Sequence, residues 1–235
     1  MIYNTIVILG ANCELGNAII ERLADDYAIY ALSRNEIYNP KITYIQSGDL
    51  THFSSFNNLD EIFNPEHNKR VIINCIGNFI GRKQIEQYKE EEINNILDSN
   101  IKPFVFSYKT FIRQMETVKC GAFITFGSIS DRYKYPHISI YNAAKEALQS
   151  LIISAANEQH KNNIRFIHLN MSTLKLKKEF KYTSPDYFEV WLDPKDVANM
   201  ISTLLLIDSP FNKAIIDLYN YSERYYKEGY FSRVP

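Results

Sequence analysis

The sequence lacks, first, any excess of charge. Its 26 basic and 27 acidic residues leave a formal charge of -1, which gives no electrostatic case for nucleic acid or an anionic membrane surface, so neither partner is expected. Long apolar runs are missing as well. No segment reaches the length a bilayer span needs, and Met1 to Gly10 carries no basic region followed by an apolar run and cleavage site, so a cytoplasmic location is expected. Cysteines are few. Cys13, Cys75 and Cys120 are odd in number and widely spaced, fitting neither a disulfide framework nor zinc-ligand spacing, and they read as reduced thiols with no metal expected. Internal repeats, linkers and low-complexity stretches are absent, so residues 1–235 read as a single domain. What remains is an ordinary globular composition, 46% apolar, sufficient for a substantial core.

Short apolar runs alternate with helical patterns along the chain. Thr5 to Leu9 is a continuous β-branched run suited to a strand buried on both faces of a parallel sheet. Leu15, Ala18, Ile19 and Leu23 then recur at helical spacing, so Gly10-Ala11-Asn12-Cys13-Glu14-Leu15-Gly16 is a turn from strand into helix. Such a turn suits a phosphate, because glycines allow close backbone approach and the helix N-terminus offers free N–H groups. Gly10 and Gly16 fit that scheme, whereas Cys13 or Glu14 stands where a middle glycine is usual, and an ordinary packing turn remains the alternative. Further strands are expected at Tyr27–Leu32, Ile42–Gln46, Val71–Cys75, Ala122–Phe126, Ile164–Asn170 and Ala214–Leu218. Helices are expected over Thr51–Phe63, Gln84–Gln114 with a kink at Pro103, Ile140 to about His160, and Asp193–Leu206. Met171 to Trp191, polar with interleaved aromatics, reads either as a substrate lid or as a solvated connection.

Polar residues gather where these strands end. Ser33-Arg34 follows the second strand, where an arginine in place of an acid favours a 2′-phosphate and hence NADP over NAD; a surface arginine is the bland reading. Asp49, beside Leu50, is either an acceptor for an adenine amino group or a turn aspartate. Asn74 and Gly77 close the fourth strand and Ser128 closes the fifth, all on the side where such sheets bind ligands. Asn100 lies just before Pro103, where a freed backbone carbonyl is open to a water or side chain; the alternative is a polar residue on the exposed face. Tyr141 and Lys145 stand four residues apart on one helix face, putting a phenol beside an ammonium. A neighbouring fixed cation favours the phenolate, so the pair could exchange a proton with a substrate oxygen.

Taken together, these residues resemble the short-chain dehydrogenase/reductase family over essentially the whole chain. Gly10 and Gly16 match the ends of its glycine turn, and Asp49 its adenine-side aspartate. Asn74-Cys75-Ile76-Gly77 matches its N-N-A-G segment and Tyr141 with Lys145 its Y-x-x-x-K, while Ser128 stands thirteen positions before Tyr141 as is usual there. The chain departs from the family at the middle glycine, at Met171-Ser172 where Pro-Gly is usual, and at Tyr219-Asn220 where a glycine pair is usual.

The resemblance implies a Rossmann-like, doubly wound parallel α/β sheet of about seven strands with helices on both faces. It also implies an NAD(P)-dependent oxidoreductase, a carbonyl reductase or alcohol dehydrogenase preferring NADP, acting on a small carbonyl or alcohol substrate. Asn100, Ser128, Tyr141 and Lys145 become the catalytic set, with Tyr141 as general acid or base, Ser128 bonding the same substrate oxygen, and Asn100 anchoring a water beside Lys145. Gly10, Asn12, Leu15, Gly16, Ser33, Arg34, Asp49, Leu50, Asn74 and Gly77 become cofactor-binding residues, joined by Tyr141, Lys145 and, in place of a hydroxyl usual after Pro-Gly, Thr173. A homodimer or homotetramer built on the helices near Asn100–Gln114 and Asn142–His160 is implied too, and the aromatic tail after Tyr221 covers either a neighbouring subunit or its own domain. The competing reading, which the degraded glycine turn supports, is a non-catalytic NADP-binding protein that keeps the fold as a sensor or assembly partner.

Overall fold

Sheet order follows from which runs are buried on both faces. The computed structural model describes residues 3–57, 59, 69–130, 134–177, 191–207 and 211–219. Within them the chain forms β1 (Thr5–Leu9), α1 (Glu14–Leu23), β2 (Ala28–Ser33), β3 (Ile42–Gln46), β4 (Arg70–Asn74), α2 (Glu90–Val118), β5 (Gly121–Ser128), α3 (Ser139–Glu158), β6 (Ile164–Met171), α4 (Pro194–Leu206) and β7 (Lys213–Leu218). The strands make one seven-stranded sheet in the order β3-β2-β1-β4-β5-β6-β7, every neighbouring pair parallel. This is the expected doubly wound α/β sheet.

Both faces are covered, which explains the continuous apolar strands. Ile6 and Ile8 point into one layer with Leu15, Ile19 and Leu23 of α1 and Val197, Ile201 and Leu205 of α4. Val7 and Leu9 point into the other with Phe104, Phe111 and Met115 of α2 and Leu148 and Ile152 of α3. Each fully buried Ile or Leu contributes roughly 2 kcal/mol of transfer free energy, so the two layers anchor β1 at the centre of the sheet. The chain leaves β1 toward β2 and β3, then returns on its other side to β4. A crevice therefore opens between the carboxyl ends of β1 and β4, at the point where the winding reverses.

Two helix expectations are corrected. In place of one helix over Gln84–Gln114, a 3₁₀ turn at Ile85–Gln87 precedes α2, which begins at Glu90 and is continuous through Pro103. The break is a cap: Lys89 is extended, and the Glu92 carboxylate reaches back to accept from Lys89 N at 3.0 Å. The helix expected over Thr51–Phe63 opens instead as a 3₁₀ turn at Phe53–Phe56. Asp49 Oδ1 accepts from both Thr51 N (2.9 Å) and Thr51 Oγ1 (2.8 Å), which commits the chain to a tight turn first. The latter half of that segment, most of the proposed lid (178–190) and the aromatic tail lie outside the described residues. Among those described, no helix is long and apolar enough to cross a membrane.

Candidate active site

Lys145 is the residue from which the site can be built. It lies on α3, is only 6% exposed, and its Nζ donates to Phe126 O at 2.8 Å. That bond ties α3 to β5 two residues before Ser128. One helical turn earlier, Tyr141 holds its ring 5.5 Å from the ammonium, centre to nitrogen, and stands edge-on to Phe79 with centroids 4.9 Å apart. The i, i+4 pairing read from the sequence is thus realised on one helix face. Asn100 approaches from α2. It is fully buried, so the exposed-face reading is excluded, and its Nδ2 donates to Asn78 O and Ile96 O, both at 2.8 Å. Its Oδ1 is buried with no partner among the described residues. A Cβ added to Gly77 would stand 2.8 Å from that Oδ1 and 3.3 Å from Lys145 Nζ, so Asn100 and Lys145 meet across this glycine.

Ser128 ends β5, and its hydroxyl belongs to a short chain of polar contacts. Ser128 Oγ lies 2.8 Å from Ser130 Oγ, and Ser130 Oγ donates to Asn142 Oδ1 at 2.8 Å. Asn142 is oriented by its Nδ2, which donates to Tyr135 O at 3.5 Å. Because the single Ser130 hydrogen goes to Asn142, the Ser128 hydroxyl is the donor toward Ser130. To donate to any other oxygen, Ser128 must turn away from that bond. Ser130 and Asn142 were missed from the sequence, although Ser130 follows Ser128 by two and Asn142 adjoins Tyr141.

The crevice between β1 and β4 is a cavity of about 580 Å³. Of the residues predicted to bind a cofactor, Gly10, Asn12, Ser33, Arg34, Asp49, Leu50 and Gly77 line it; Leu15, Gly16, Asn74, Tyr141, Lys145 and Thr173 do not. Those outside the lining have structural contacts. Asn74 Oδ1 accepts from Ile76 N at 3.0 Å and shapes its own turn. Leu15 is a core residue of α1, and Gly16 approaches the Ala11 carbonyl so closely that no Cβ fits. Thr173 is exposed, its carbonyl accepting from Leu192 N at 2.9 Å. Around Asp49 the bonds from Thr51, with His52 and Arg34 nearby, hold the carboxyl below its ordinary value. One carboxylate oxygen therefore serves the turn, as one of the two sequence readings held. Glu14, the acid in the glycine turn, accepts from Lys177 N at 2.9 and 3.1 Å and is occupied by the loop after β6.

Behind Lys145 lies a buried polar track. Strand register sets Thr125 beside His168 and Gly127 beside Asn170. Thr125 Oγ1 is 2.7 Å from His168 Nδ1, and Asn170 Nδ2 donates to Gln149 Oε1 (3.0 Å) and Asp217 Oδ1 (3.1 Å). His168 is fully buried, and burial first, then the nearby Lys145 ammonium, lowers its pKa to about 3, with Asn170 opposing in part. A folded pKa depressed below the unfolded value gives stability that is full above pH ~6.5 and lost as pH falls toward the folded value. Acidification from about pH 7.5 to about pH 5 is therefore expected to cost roughly 2 kcal/mol through this one group. Urea denaturation at both pH values checks this; His168→Gln, lacking the titration, should show a pH dependence smaller by about that amount, and equal slopes for the two proteins would refute it.

The comparisons with known proteins agree with this layout. The family model described as short chain dehydrogenase matches residues 4–176. An uncharacterized oxidoreductase of Staphylococcus aureus strain MW2 is 22% identical over 217 residues, 88% of this chain and 92% of that one. Dehydrogenase/reductase SDR family member 4 of Sus scrofa is 24% identical over 234 residues, covering 88% and 83%. Among solved structures, ElxO with NADP bound superposes with a TM-score of 0.82 at 22% identity, over 92% of this chain and 96% of that one. The serine dehydrogenase of Escherichia coli gives 0.78 at 15% identity, over 92% and 97%. At these identities the structural likeness speaks for the fold.

Proposed function

The chain belongs to the short-chain dehydrogenase family, a family of oxidoreductases, and on that premise we propose that it is an NADP(H)-preferring carbonyl reductase or alcohol dehydrogenase with Tyr141 as its general acid or base. The observation that carries this reading is the buried Lys145 ammonium, 5.5 Å from the Tyr141 ring and facing Asn100 across Gly77, which itself lines the crevice. A bare structural scaffold has no need of a buried ammonium beside a phenol.

The residues present fit a dinucleotide. The cavity opens at the switch point between β1 and β4, its wall includes Gly10 and Gly77, and the exposed Arg34 stands at the end of β2. Gly10 and Asn12 would hold the diphosphate near the start of α1, Arg34 and Ser33 the 2′-phosphate, and Asp49 with Leu50 the adenine side. NADPH, when bound, would supply the hydride that reduces the carbonyl carbon. Tyr141 then gives its phenolic proton to the carbonyl oxygen, and the Lys145 ammonium favours the phenolate left behind. Ser128, turning from Ser130, donates a hydrogen bond to that same oxygen and stabilises its developing charge. Asn100 Oδ1, without a partner among the described residues and beside Lys145, suits a water that returns a proton. The reading extends to a single-domain, cytoplasmic protein that assembles as a homodimer or homotetramer through α2 and α3.

Fluorescence titration with NADPH and NADH, followed by a screen of carbonyl and alcohol substrates, tests the reading. Tight NADPH binding without turnover of any substrate would favour the non-catalytic sensor. Arg34→Ala is expected to weaken NADPH by roughly tenfold or more, the worth of a lost charge-assisted contact, and to leave NADH nearly unchanged. An equal loss for both nucleotides would remove the 2′-phosphate from Arg34.

A further inference from the structure

We propose that Ser130 and Asn142 are positioning residues that hold the Ser128 hydroxyl hydrogen away from a neutral ligand and yield it to an oxygen that gains charge. This role rests on the reading above, in which Ser128 bonds the oxygen that Tyr141 protonates.

The site fixes the Ser128 oxygen and leaves its hydrogen to turn. Ser128 Oγ accepts from Ser130 N at 3.2 Å, a local bond at the end of β5. Ile129 N donates to Met171 O at 3.0 Å, so the same stretch stays tied to β6. The oxygen is held by both. Its hydrogen rotates about the Cβ–Oγ bond, and Ser130 Oγ, 2.8 Å away, accepts it. Ser130 has a single hydrogen of its own, which Asn142 Oδ1 takes at 2.8 Å. It has none left to return to Ser128.

Asn142 sets the direction of this chain. Its Nδ2 donates to Tyr135 O at 3.5 Å, and turning the amide over would place oxygen against oxygen there. A turned amide would also offer Ser130 a donor in place of an acceptor, and the Ser130 hydrogen would swing onto Ser128 Oγ. The Tyr135 carbonyl holds the amide the other way round. Ser130 and Asn142 are both buried, so water has little access to replace either partner. Asn142 adjoins Tyr141 on α3. One helical turn thus carries both the phenol and the residue that directs Ser128.

The arrangement distinguishes a neutral oxygen from a charged one. A donor placed for a developing oxyanion meets the ground-state carbonyl poorly, so before reaction the Ser128 hydrogen stays with Ser130. An oxygen gaining negative charge accepts about twice as strongly and draws the hydrogen across. The Ser128–Ser130 bond is lost at that moment. Its loss slows the step by about two- to tenfold, the net worth of one neutral hydrogen bond.

A neutron structure of the perdeuterated, nucleotide-free protein reads these directions without turnover. The Ser128 deuterium should point to Ser130 Oγ and the Ser130 deuterium to Asn142 Oδ1; the reverse order, or a turned Asn142 amide, would overturn the proposal. In single-turnover carbonyl reduction with saturating NADPH, Ser130→Ala should raise the rate about two- to tenfold and leave KM within about twofold. The gain should vanish in a Ser128→Ala background and be reversed by Ser130→Thr, which restores the hydroxyl; a merely structural serine gives neither result. Asn142→Leu, which frees the Ser130 hydrogen for Ser128, should raise the rate as well, and Ser130→Ala carries the test alone if that variant does not fold. A Ser130→Ala rate equal to or below that of wild type, or a gain that persists without Ser128, would overturn this role alone. Wild-type protein that reduces no carbonyl in the screen would overturn the functional reading, and this role with it.

Discussion

Replacement of Tyr141 by Phe is expected to lower the rate of carbonyl reduction by about 10²- to 10⁴-fold while NADPH affinity stays within about twofold. The substitution removes one hydroxyl and keeps the ring. Its edge-on contact with Phe79 survives, and the backbone of α3 has no reason to move, so the change isolates the proton. With no proton donor at the carbonyl oxygen, negative charge must develop against Ser128 alone, and that hydrogen bond cannot supply the missing proton. Single-turnover kinetics with saturating NADPH, beside a thermal melt to confirm the fold, would measure the effect. Turnover within a few fold of wild type would take the acid role from Tyr141. The same assay on Ser130→Ala is informative, since losing the acceptor for Ser128 should move kcat and leave NADPH binding alone.

The second large effect is on stability. Gly127→Ala should destabilise the fold by about 3 kcal/mol or more, enough to leave much of the protein unfolded or insoluble. A Cβ at Gly127 would stand far inside van der Waals contact of both Asn170 Oδ1 and His168 Nε2. Neither can retreat freely. Both side chains belong to β6, which is held in register between β5 and β7, and both are fully buried. Moving His168 also endangers its bond to Thr125, and moving Asn170 its bonds to Gln149 and Asp217. Each bond broken in a dry interior exposes an unsatisfied group costing about 1–3 kcal/mol. Gly127 lies one residue before Ser128, so a surviving Gly127→Ala protein should also lose activity. A urea midpoint equal to that of wild type would show that the sheet absorbs the methyl group, and the rigidity argued for β6 would be wrong.

Much of the fold was legible because strands buried on both faces leave a strong mark. Thr5–Leu9 and Ile42–Gln46 were read to the residue, and the others within one or two positions at most ends. The misread boundaries were set by side-chain caps. Glu92 reaching back to Lys89 N splits a helical pattern that hydrophobic spacing alone would run together, and Asp49 gripping Thr51 turns a helix start into a 3₁₀ turn. Apolar periodicity carries no trace of such bonds.

The sequence by itself determined the α/β order, the family and the alignment of Tyr141 with Lys145, because a helix repeat fixes which residues share a face. It also marked Gly10, Arg34 and Asp49 as strand-end residues, since a parallel sheet places all such ends on one side. Only the tertiary structure decided what meets across elements. Asn100 and Lys145 facing each other over Gly77, the Ser128–Ser130–Asn142 chain, and His168 against Asn170 join residues far apart in sequence, and their contacts depend on strand register and helix packing.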